Sequence, residues 1–354
     1  MTKEKDTTSL IADKDFSKVI EETIGIYSEA TFDRAFPSIN DNLKPVARRI
    51  LYTIKEQNLT YFKKLAYTVG LTMGYYHPHG DSSIADTAIL LSQDFTVNEP
   101  LFEAQGNNGS AEGDRAAAAR YLEMKLSKFA QDVITDEIDK YSIEYVPNYD
   151  DTKFEPTYLP TKIPLALLNG VDGIGEAFIV SIPPHNLRDI VRITKMYINN
   201  KNIPLSNLVR GFYPDFPLGG EITNKSEIEE YYSMEAKDVE ESLQNKRSWT
   251  IQFRAKIEFD RENDTIIITE LPYNVTFQRI CDKILYEVKE RGNVVLSNII
   301  NTGNRKKNGK IQYEIICKKN SNLMEIANML YEKAQLTHYS SLSFMFNCGQ
   351  RLSR

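Results

Sequence analysis

The sequence predicts an α+β protein, with helices concentrated in the first third of its 354 residues and strands mixed with helices in the last third. Apolar residues recur at helical spacing between residues 15 and 73, and β-branched runs bounded by turn residues appear after residue 249. Six prolines between Pro147 and Pro184 separate these regions and indicate a boundary near residue 155. A chain of this length is expected to form two or three domains.

Helical spacing predicts three helices before residue 74, over Asp15–Phe36, Val46–Ile54 and Phe62–Met73. The stretch GYYHPHGD then predicts a tight turn, and a fourth helix follows with Asp81 or Ser82 as its N-cap. A helix, a turn and a helix with basic residues upstream form the outline of a helix-turn-helix unit. That outline is common, so it indicates DNA binding only weakly.

The later segments alternate between loop, strand and helix signals. Gln105–Gly113 is rich in Gly and Asn and predicts a loop, whereas the alanine-rich segment from Arg115 predicts a helix. The remaining predictions are a hairpin of Trp249–Phe259 and Thr265–Thr269 around Asp260–Asp264, helices over Phe277–Glu290 and Asn322–Ala334, and a strand over Lys310–Cys317.

Composition excludes several classes of protein. Hydrophobic residues make up 41% and charged residues 26%, a balance typical of a folded soluble protein rather than a disordered chain. No run approaches the ~18 apolar residues of a membrane span, and the polar start MTKEKDTTSL lacks the apolar run of a signal peptide. The three cysteines are widely spaced, so we expect neither a disulfide framework nor a CxxC metal site, and we expect a cytoplasmic location.

Charge is distributed unevenly along the chain. The net charge is −6, yet residues 31–75 hold seven Lys or Arg against three Asp or Glu, a local excess of +4. A basic segment in an acidic chain is a candidate phosphate-binding surface. A solvated helix face accounts for the same pattern, so composition permits DNA binding without establishing it.

Tyr121 directly follows Arg120 in the alanine-rich segment. A free phenol has a pKa near ~10 and is a weak nucleophile, but a neighbouring guanidinium favours the phenolate and can neutralise charge on an attacked phosphate. Attack on a phosphodiester would give a phosphotyrosine ester. The chain has 20 tyrosines, so an ordinary structural tyrosine is the alternative on the dipeptide alone.

His77 and His79 lie in the turn YHPHGD and are two of the four histidines in the chain. A close histidine pair first suggests a metal site, but no Cys or third His lies nearby to complete a zinc shell. A turn that directs both imidazoles at phosphates or at a scissile bond is the better functional interpretation. Two purely structural histidines are the alternative.

Five long motifs occur in a fixed order along the chain: DNLKPVARRILY, GYYHPHGDSSIADT, QGNNGSAEGDRAAAARYLE, LPTKIPLALLNGVDGIG and SIPPHN. Together they resemble the cleavage subunit of type IIA DNA topoisomerases, which is the A subunit of bacterial DNA gyrase and topoisomerase IV. Order and spacing agree from about residue 25 to residue 345, and YPDFPLGG, TELPYNV and QLTHYSSLSFMFN match as well. The joint occurrence of these motifs makes the resemblance specific.

The resemblance implies a role for each matching residue. Tyr121 corresponds to the tyrosine that joins the 5′ phosphate of broken DNA, with Arg120 beside it and Arg34 acting on the scissile phosphate from the other side. His77 and His79 would lie near the cleavage centre, and Lys44, Arg48 and Arg49 would contact the DNA backbone. Ser82 would contact DNA, and Ser82 and Asp86 would contact quinolones through a water–metal bridge. Ile174 would insert between base pairs.

The resemblance also implies an architecture. Residues 31–155 would form a helical, winged-helix-like DNA-binding and cleavage domain with its recognition helix near Ser82–Ser92, and residues 156–335 an α/β tower or shoulder domain. Residues 1–30 would form an N-terminal arm, and residues 336–354 a stub that leads to a coiled-coil gate. Since the family continues into that gate and a DNA-wrapping domain, we expect an engineered fragment or a split enzyme, as in some phages, with the gate on a separate chain.

The implied enzyme is an ATP-dependent type II topoisomerase that acts on double-stranded DNA as a homodimer. The chain shows no convincing DxD motif and no Walker-type phosphate loop. The Mg²⁺ ligands and the ATPase are therefore expected on a B-type partner subunit, with no metal site on this chain. Helix-start amides near Tyr121, together with Arg34 and Arg120, are expected to stabilise the pentacoordinate phosphorus.

Three departures from the family pattern leave the candidate catalytic groups in place. Ala47 stands where the family usually carries His or Gln, Asn108 replaces the aromatic residue of the usual GNFGS, and Glu176 falls in a stretch that is normally small and neutral. Two other classes stay open: a non-catalytic DNA-binding or architectural protein of the same fold, and a regulatory interaction protein with Tyr121 buried in its core. Joint retention of all the candidate catalytic residues argues against the first.

Overall fold

The computed structural model describes residues 16–140, 143–175, 178–245, 247–291, 296–303, 311–349 and 352–353. Its mixture of helices and antiparallel sheets confirms the predicted α+β class. The predicted N-terminal arm lies outside the described residues up to residue 15, and so do residues 350, 351 and 354 of the predicted stub. In the described part of the chain, no helix is both long enough and apolar enough to cross a membrane.

Four helices form the first described part of the chain. They are α1 (Phe16–Ala35), α2 (Pro45–Glu56), α3 (Leu65–Tyr75) and α4 (Asp81–Leu90). Helix α2 begins at a proline, whose fixed φ and missing N–H suit the first helical position. Its buried apolar residues, Ala47, Ile50, Leu51 and Ile54, recur at helical spacing and form one face. The first two predicted helices are confirmed.

A three-stranded antiparallel sheet has the order β1–β3–β2. Its strands are β1 (Lys63–Lys64), β2 (Phe102–Gln105) and β3 (Glu123–Leu126). Lys63 pairs with Met124 in this sheet, so the third helix begins at Leu65 rather than at the predicted Phe62. The predicted third helix is therefore confirmed, but its predicted first residue is wrong.

The ends of α4 also differ from the prediction. Its N-cap is Gly80 rather than Asp81 or Ser82. Asp81 instead lies in the first turn, where the helix dipole favours a carboxylate. The helix ends at Leu90, so it is shorter than the expected recognition helix, which extended to Ser92.

The segment that begins at Arg115 is not helical, although its alanines favour a helix. The amide of Ala117 donates to the carbonyl of Asn107 at 2.9 Å, and the amide of Ser110 donates to the carbonyl of Asp114 at 3.2 Å. The first bond pairs the segment with the preceding loop and the second closes that loop, so loop contacts replace helical pairing at Ala117. The glycines of that loop have positive φ angles, as its composition predicts.

Short helices and two hairpins make up the middle of the chain. The strands are β4 (Tyr145–Pro147), β5 (Phe154–Pro156), β6 (Val171–Ile174), β7 (Ile179–Ile182) and β8 (Glu221–Ile222). The helices are α5 (Lys128–Ala130), α6 (Leu165–Asn169), α7 (Leu187–Asn199), α8 (Leu205–Leu208), α9 (Lys225–Ser233) and α10 (Ala236–Gln244), with a π turn at Gln131–Thr135 and a 3-10 turn at Ile138–Lys140. Antiparallel pairing joins β4 to β5 and β6 to β7.

The last part of the chain contains the predicted hairpin and helices. Its strands are β9 (Thr250–Arg254), β10 (Lys256–Asp260), β11 (Thr265–Glu270), β12 (Leu296–Asn301), β13 (Tyr313–Cys317), β14 (Thr337–Ser341), β15 (Phe346–Asn347) and β16 (Leu352–Ser353), and its helices are α11 (Phe277–Arg291) and α12 (Leu323–Lys333). Strands β10 and β11 form the predicted hairpin in a four-stranded sheet of order β10–β11–β13–β12. The predicted strand over residues 249–259 is divided at Ala255, whose amide donates to the carbonyl of Leu336 at 2.7 Å, and β9 joins a separate sheet of order β14–β9–β8.

The buried apolar residues form two large clusters. The first includes Leu43, Leu159 and Phe253, so it draws on both sides of residue 155. The second lies wholly between Ala255 and Leu336 and packs α11 and α12 on the four-stranded sheet. The predicted boundaries at residues 30, 155 and 335 stay predictions.

Asp41 connects distant parts of the first cluster through a buried carboxylate. Oδ1 accepts hydrogen bonds from the Leu43 amide at 3.0 Å and from Arg48 Nη2 at 2.9 Å. Oδ2 accepts from Arg48 Nε at 2.6 Å and from the Leu159 amide at 3.0 Å. The side chain of Asp41 is fully buried, so all of its compensation for lost hydration comes from these partners.

We expect Asp41→Asn to lower the free energy of unfolding by about 3–5 kcal/mol, because it leaves the Arg48 guanidinium without its counter-charge. Urea unfolding followed by circular dichroism measures this. The control is Asp189→Asn, which removes a half-exposed ion pair to Arg192 at 3.3 Å and should cost less than ~1 kcal/mol. Equal effects of the two substitutions would show that the Asp41 contacts do not stabilise the fold.

Candidate active site and DNA-binding surface

Tyr121 lies in a turn just before β3 and is 61% exposed. The Tyr121 amide donates to the carbonyl of Ala118 at 2.8 Å and closes this turn. Gly106, at φ +106°, packs against the Tyr121 carbonyl, where a Cβ atom would lie 3.2 Å from the oxygen. The backbone of Tyr121 is therefore held while its side chain faces solvent, which excludes the alternative of a tyrosine buried in a core.

Arg120 packs over the ring of its neighbour. Its guanidinium carbon lies 4.7 Å from the Tyr121 ring centroid, within cation–π distance. A cation therefore lies beside the phenol, as the sequence predicts. Tyr121 does not stand at the start of a helix, because the chain passes from its turn through Leu122 into β3. The prediction of helix-start amides is therefore wrong, and the charge near Tyr121 comes from side chains.

The β6–β7 hairpin packs on the end of α1, so that Gly173 and Ala35, the chain neighbours of Ile174 and Arg34, lie against each other. Arg34 lies exposed in the last turn of α1. A Cβ atom on Gly173 would lie 2.3 Å from the Ala35 carbonyl oxygen, so only glycine permits this approach. The next residue, Ile174, is 78% exposed, although it is a large apolar side chain.

Lys44 fixes the same hairpin from the start of α2. Its Nζ donates to the carbonyl of Asp172 at 2.6 Å. Burial lowers the pKa of Lys44, and the nearby Asp172 carboxylate opposes that shift. Lys44 therefore binds the hairpin that carries Ile174, and its ammonium is already bound to protein.

Arg48 and Arg49 are bound to different carboxylates. Arg48 pairs with Asp41 and has a side chain only 12% exposed, so it has little surface with which to reach a phosphate. Arg49 pairs with Glu155, from Nε to Oε2 at 2.6 Å and from Nη2 to Oε1 at 2.7 Å. Both arginines therefore bind carboxylates of this chain and stabilise its fold. Their contacts with DNA stay predictions.

His77 and His79 stack on each other, with ring centroids 4.4 Å apart and an interplanar angle of 27°. His77 is buried and its Nδ1 lies 3.0 Å from Arg49 Nη1, whereas His79 is exposed. Burial lowers the pKa of His77 to about 4, and the positive charge of Arg49 acts in the same direction. The two histidines therefore differ in environment although they share one turn.

Ser82 and Asp86 are exposed on α4 and are separated by four positions, so they lie on the same face of the helix. Within the described part of this chain, no hydrogen bond, ion pair or ring contact joins them or Arg34 to Tyr121. The candidate residues thus form separate groups: Tyr121 with Arg120, the histidine turn with Arg49, and the β6–β7 hairpin with Arg34 and Lys44.

Two residues that hold these groups could not be identified from sequence motifs. Glu155 binds Arg49 across 106 positions, and Asp172 supplies the carbonyl that binds Lys44 across 128 positions. A single carboxylate carries no local signal for a partner so distant in sequence. Glu155 does lie one position before Pro156, in the stretch that the prolines mark.

We expect Gly173→Ala to destabilise the chain by about 1–3 kcal/mol, because the added Cβ forces the β6–β7 hairpin away from α1. The control is Gly70→Ala, in the interior of α3, where nothing lies within 4 Å of the new Cβ. That change should stabilise by up to ~1 kcal/mol through helix propensity. Thermal unfolding measures both, and a midpoint for Gly173→Ala at or above that of the unmodified chain would contradict the packing argument.

Comparison with known proteins agrees with the motifs over most of the chain. The family described as the A subunit of DNA gyrase/topoisomerase IV matches residues 34–352. The A subunit of DNA topoisomerase 4 from Staphylococcus epidermidis is 35% identical over 346 residues, which are 96% of this chain and 41% of that protein. The Staphylococcus aureus protein of the same name is 35% identical over 352 residues, with the same coverage. The A subunit of DNA gyrase from Rickettsia bellii is 40% identical over 311 residues, which are 86% of this chain and 32% of that protein.

The chain spans less than half the length of these relatives. The family match nevertheless covers all of the candidate site residues, from Arg34 in α1 to Ile174 in the β6–β7 hairpin. The resemblance seen in the motifs is therefore confirmed, and the chain belongs to the family of DNA gyrase and topoisomerase IV A subunits.

Proposed function

We propose that this chain breaks and rejoins DNA as the cleavage subunit of a type IIA topoisomerase, with Tyr121 as the nucleophile. The observation that carries the proposal is the exposed Tyr121 with the Arg120 guanidinium 4.7 Å from its ring centroid. A phenol in this position can approach a DNA backbone, and the adjacent cation can bind the phosphate that it attacks. Family membership supports the same function.

The proposed reaction is a reversible transesterification. The Tyr121 oxygen attacks a backbone phosphorus and loses its proton to solvent, while the bond from phosphorus to the 3′ oxygen breaks and that oxygen takes up a proton. The product is a 5′-phosphotyrosyl ester and a free 3′ hydroxyl. Because the ester conserves the phosphodiester energy, the reverse attack rejoins the strand without ATP at that step. Arg120, and Arg34 of a second copy, would balance the charge on the phosphorus.

In the proposed DNA-binding surface, one region binds and positions the duplex and another bends it. Residues 31–155 would act as a winged-helix-like domain that presents α4, with Ser82 toward the DNA, and residues 156–335 as a tower domain. The exposed Ile174 would insert between base pairs and bend the duplex. Ser82 and Asp86, on one exposed helix face, are the candidates for quinolone contact.

A homodimer with a B-type partner subunit would complete the enzyme, because a double-strand break needs two tyrosines. Among the described residues, no group of three or more His, Cys, Asp or Glu side chains is placed to hold a metal ion. The proposal assigns Mg²⁺ binding and ATP hydrolysis to the partner subunit.

We expect Tyr121→Phe to abolish the covalent protein–DNA adduct and to leave DNA binding unchanged, because only the attacking oxygen is removed. The assay traps adducts with detergent after incubation with supercoiled DNA, Mg²⁺ and a B-type subunit. The matched control is Tyr61→Phe, since Tyr61 is 58% exposed and has Lys63 Nζ 4.6 Å from its ring centroid. This control should form the adduct at the level of the unmodified chain.

Two results would contradict the proposal. Adduct formation by Tyr121→Phe would exclude Tyr121 as the nucleophile. Absence of the adduct from the unmodified chain, together with salt-dependent DNA binding, would favour the non-catalytic DNA-binding protein.

A further inference from the structure

A buried polar cluster joins α2, β5 and the histidine turn, and it consists of Arg49, Glu155 and His77. Arg49 donates from Nε and Nη2 to the two carboxylate oxygens of Glu155, at 2.6 and 2.7 Å. Its third nitrogen, Nη1, lies 3.0 Å from His77 Nδ1. The side chains of Arg49 and Glu155 are largely buried, and His77 is buried. The carboxylate therefore fixes one edge of the guanidinium and directs the remaining nitrogen at the imidazole.

The chemistry of Arg49 determines the protonation of His77. A guanidinium has N–H donors and no acceptor, so His77 Nδ1 must be the acceptor in this contact. A neutral imidazole that accepts at Nδ1 carries its proton on Nε2, whereas an imidazolium would bring two donors face to face. The lowered pKa of His77, about 4, agrees with a neutral ring at neutral pH.

The remaining polar group of His77 is its Nε2–H donor. Within the described residues it has no hydrogen-bond partner, and none of their buried unpaired side-chain atoms belongs to His77. The atom therefore has access to solvent. Its neighbour in the turn, His79, is exposed and stacks on the same ring. A directed N–H donor beside an exposed imidazole suits an anionic oxygen such as that of a phosphate.

We propose that Glu155 is a positioning residue that holds Arg49 against His77 and thereby keeps His77 as an Nε2–H donor toward a DNA phosphate oxygen. This inference rests on the DNA-cleavage function proposed above and assigns a role to a residue outside the motif that carries Tyr121. Glu155 acts only through Arg49. Without its carboxylate the guanidinium loses its fixed orientation, and His77 can carry its proton on either nitrogen.

The charged and titratable groups around His77 define a matched control. Arg49 reaches the ring from α2, Glu155 lies behind it on β5, and His79 stacks from the same turn. Glu56 also lies on α2, but it accepts from Lys153 at 2.8 Å and from the Tyr76 hydroxyl at 2.6 Å. Glu56 and Lys153 thus link the same helix to the same hairpin without contacting Arg49.

The test is the tautomer of His77, measured by long-range ¹H–¹⁵N spectra of the full chain labelled at histidine. The chain has only four histidines, and His77→Asn identifies the signal of His77. In the unmodified chain at pH 7 we expect a single neutral tautomer protonated at Nε2. Glu155→Gln, which keeps the shape and removes the charge, should give a mixture of tautomers. Glu155→Asp, which keeps the charge and withdraws the carboxylate, should do the same, and Glu56→Gln should leave the signal unchanged.

Three results of the His77 spectra would overturn the proposal. They are a cationic or Nδ1-protonated His77 in the unmodified chain, a single Nε2-protonated tautomer in either folded Glu155 variant, and an equal change in Glu56→Gln. If Glu155 had only a structural role, Glu155→Gln and Glu56→Gln would both lower stability. Their His77 spectra would then show the same tautomer. If one Glu155 variant does not fold, the other still decides.

Adduct formation separates this inference from the proposed function. With a B-type subunit, Mg²⁺ and DNA, the Glu155 variants should form the Tyr121 adduct on the order of tenfold more slowly, and Glu56→Gln at the normal rate. If no chain forms an adduct, the proposed function fails while the spectra still report on Glu155. If the tautomer changes and the adduct rate does not, His77 does not donate to the reacting DNA and the inference fails alone.

Discussion

The pairing of two adjacent arginines on α2 with two different carboxylates is the constraint on which the rest of the site depends. Arg48 and Arg49 point about 100° apart on the helix, as neighbours must. Arg48 therefore reaches the buried Asp41, which also binds the Leu159 amide, while Arg49 reaches Glu155 and His77. Removing one partner of such a buried pair leaves an uncompensated charge, so each pair fixes the position of α2 against a different segment. The fixed helix in turn contacts His77 through Arg49, and Lys44 at its start binds the β6–β7 hairpin at Asp172.

The basic segment is therefore less available to DNA than its charge count suggests. Five of its seven cations, Lys44, Arg48, Arg49, Lys55 and Lys64, already pair with protein oxygens. Arg34, an exposed cation of the same segment, lies at the end of α1, and the exposed Arg120 lies outside the segment beside Tyr121. This separates two kinds of positive charge: cations that hold the framework, and cations that face solvent where a phosphate would come. Only the second kind can respond to charge that develops on an attacked phosphorus without first losing a protein partner.

Local patterns predicted the elements that depend on local interactions. The helices at α1 and α2, the β10–β11 hairpin and α12 follow from apolar spacing and turn residues, and they occur as predicted. The helix predicted from Arg115 does not form, because Ala117 pairs with Asn107 in a loop whose position depends on the fold. The candidate residues Tyr121, His77 and Ile174 could be named from motifs, yet their exposure and partners could not. Glu155 and Asp172 lie more than 100 positions from the side chains they hold, so no pattern in the sequence connects them.

Two of the three departures from the family pattern, Asn108 and Ala47, lie near the candidate site, whereas Glu176 lies outside the described residues. Asn108 stands in place of an aromatic residue, and its side-chain Nδ2 donates to Ser92 Oγ at 2.9 Å while its main-chain carbonyl accepts from Gln93 Nε2 at 2.8 Å. A polar side chain here thus links the loop before Tyr121 to the segment after α4, a connection that an aromatic ring could make only through packing. Ala47 is buried and lines a cavity of about 320 Å³ beside Lys44 and Asp172. The same cavity is lined by Lys44, whose Nζ binds the Asp172 carbonyl and so holds the hairpin that carries Ile174.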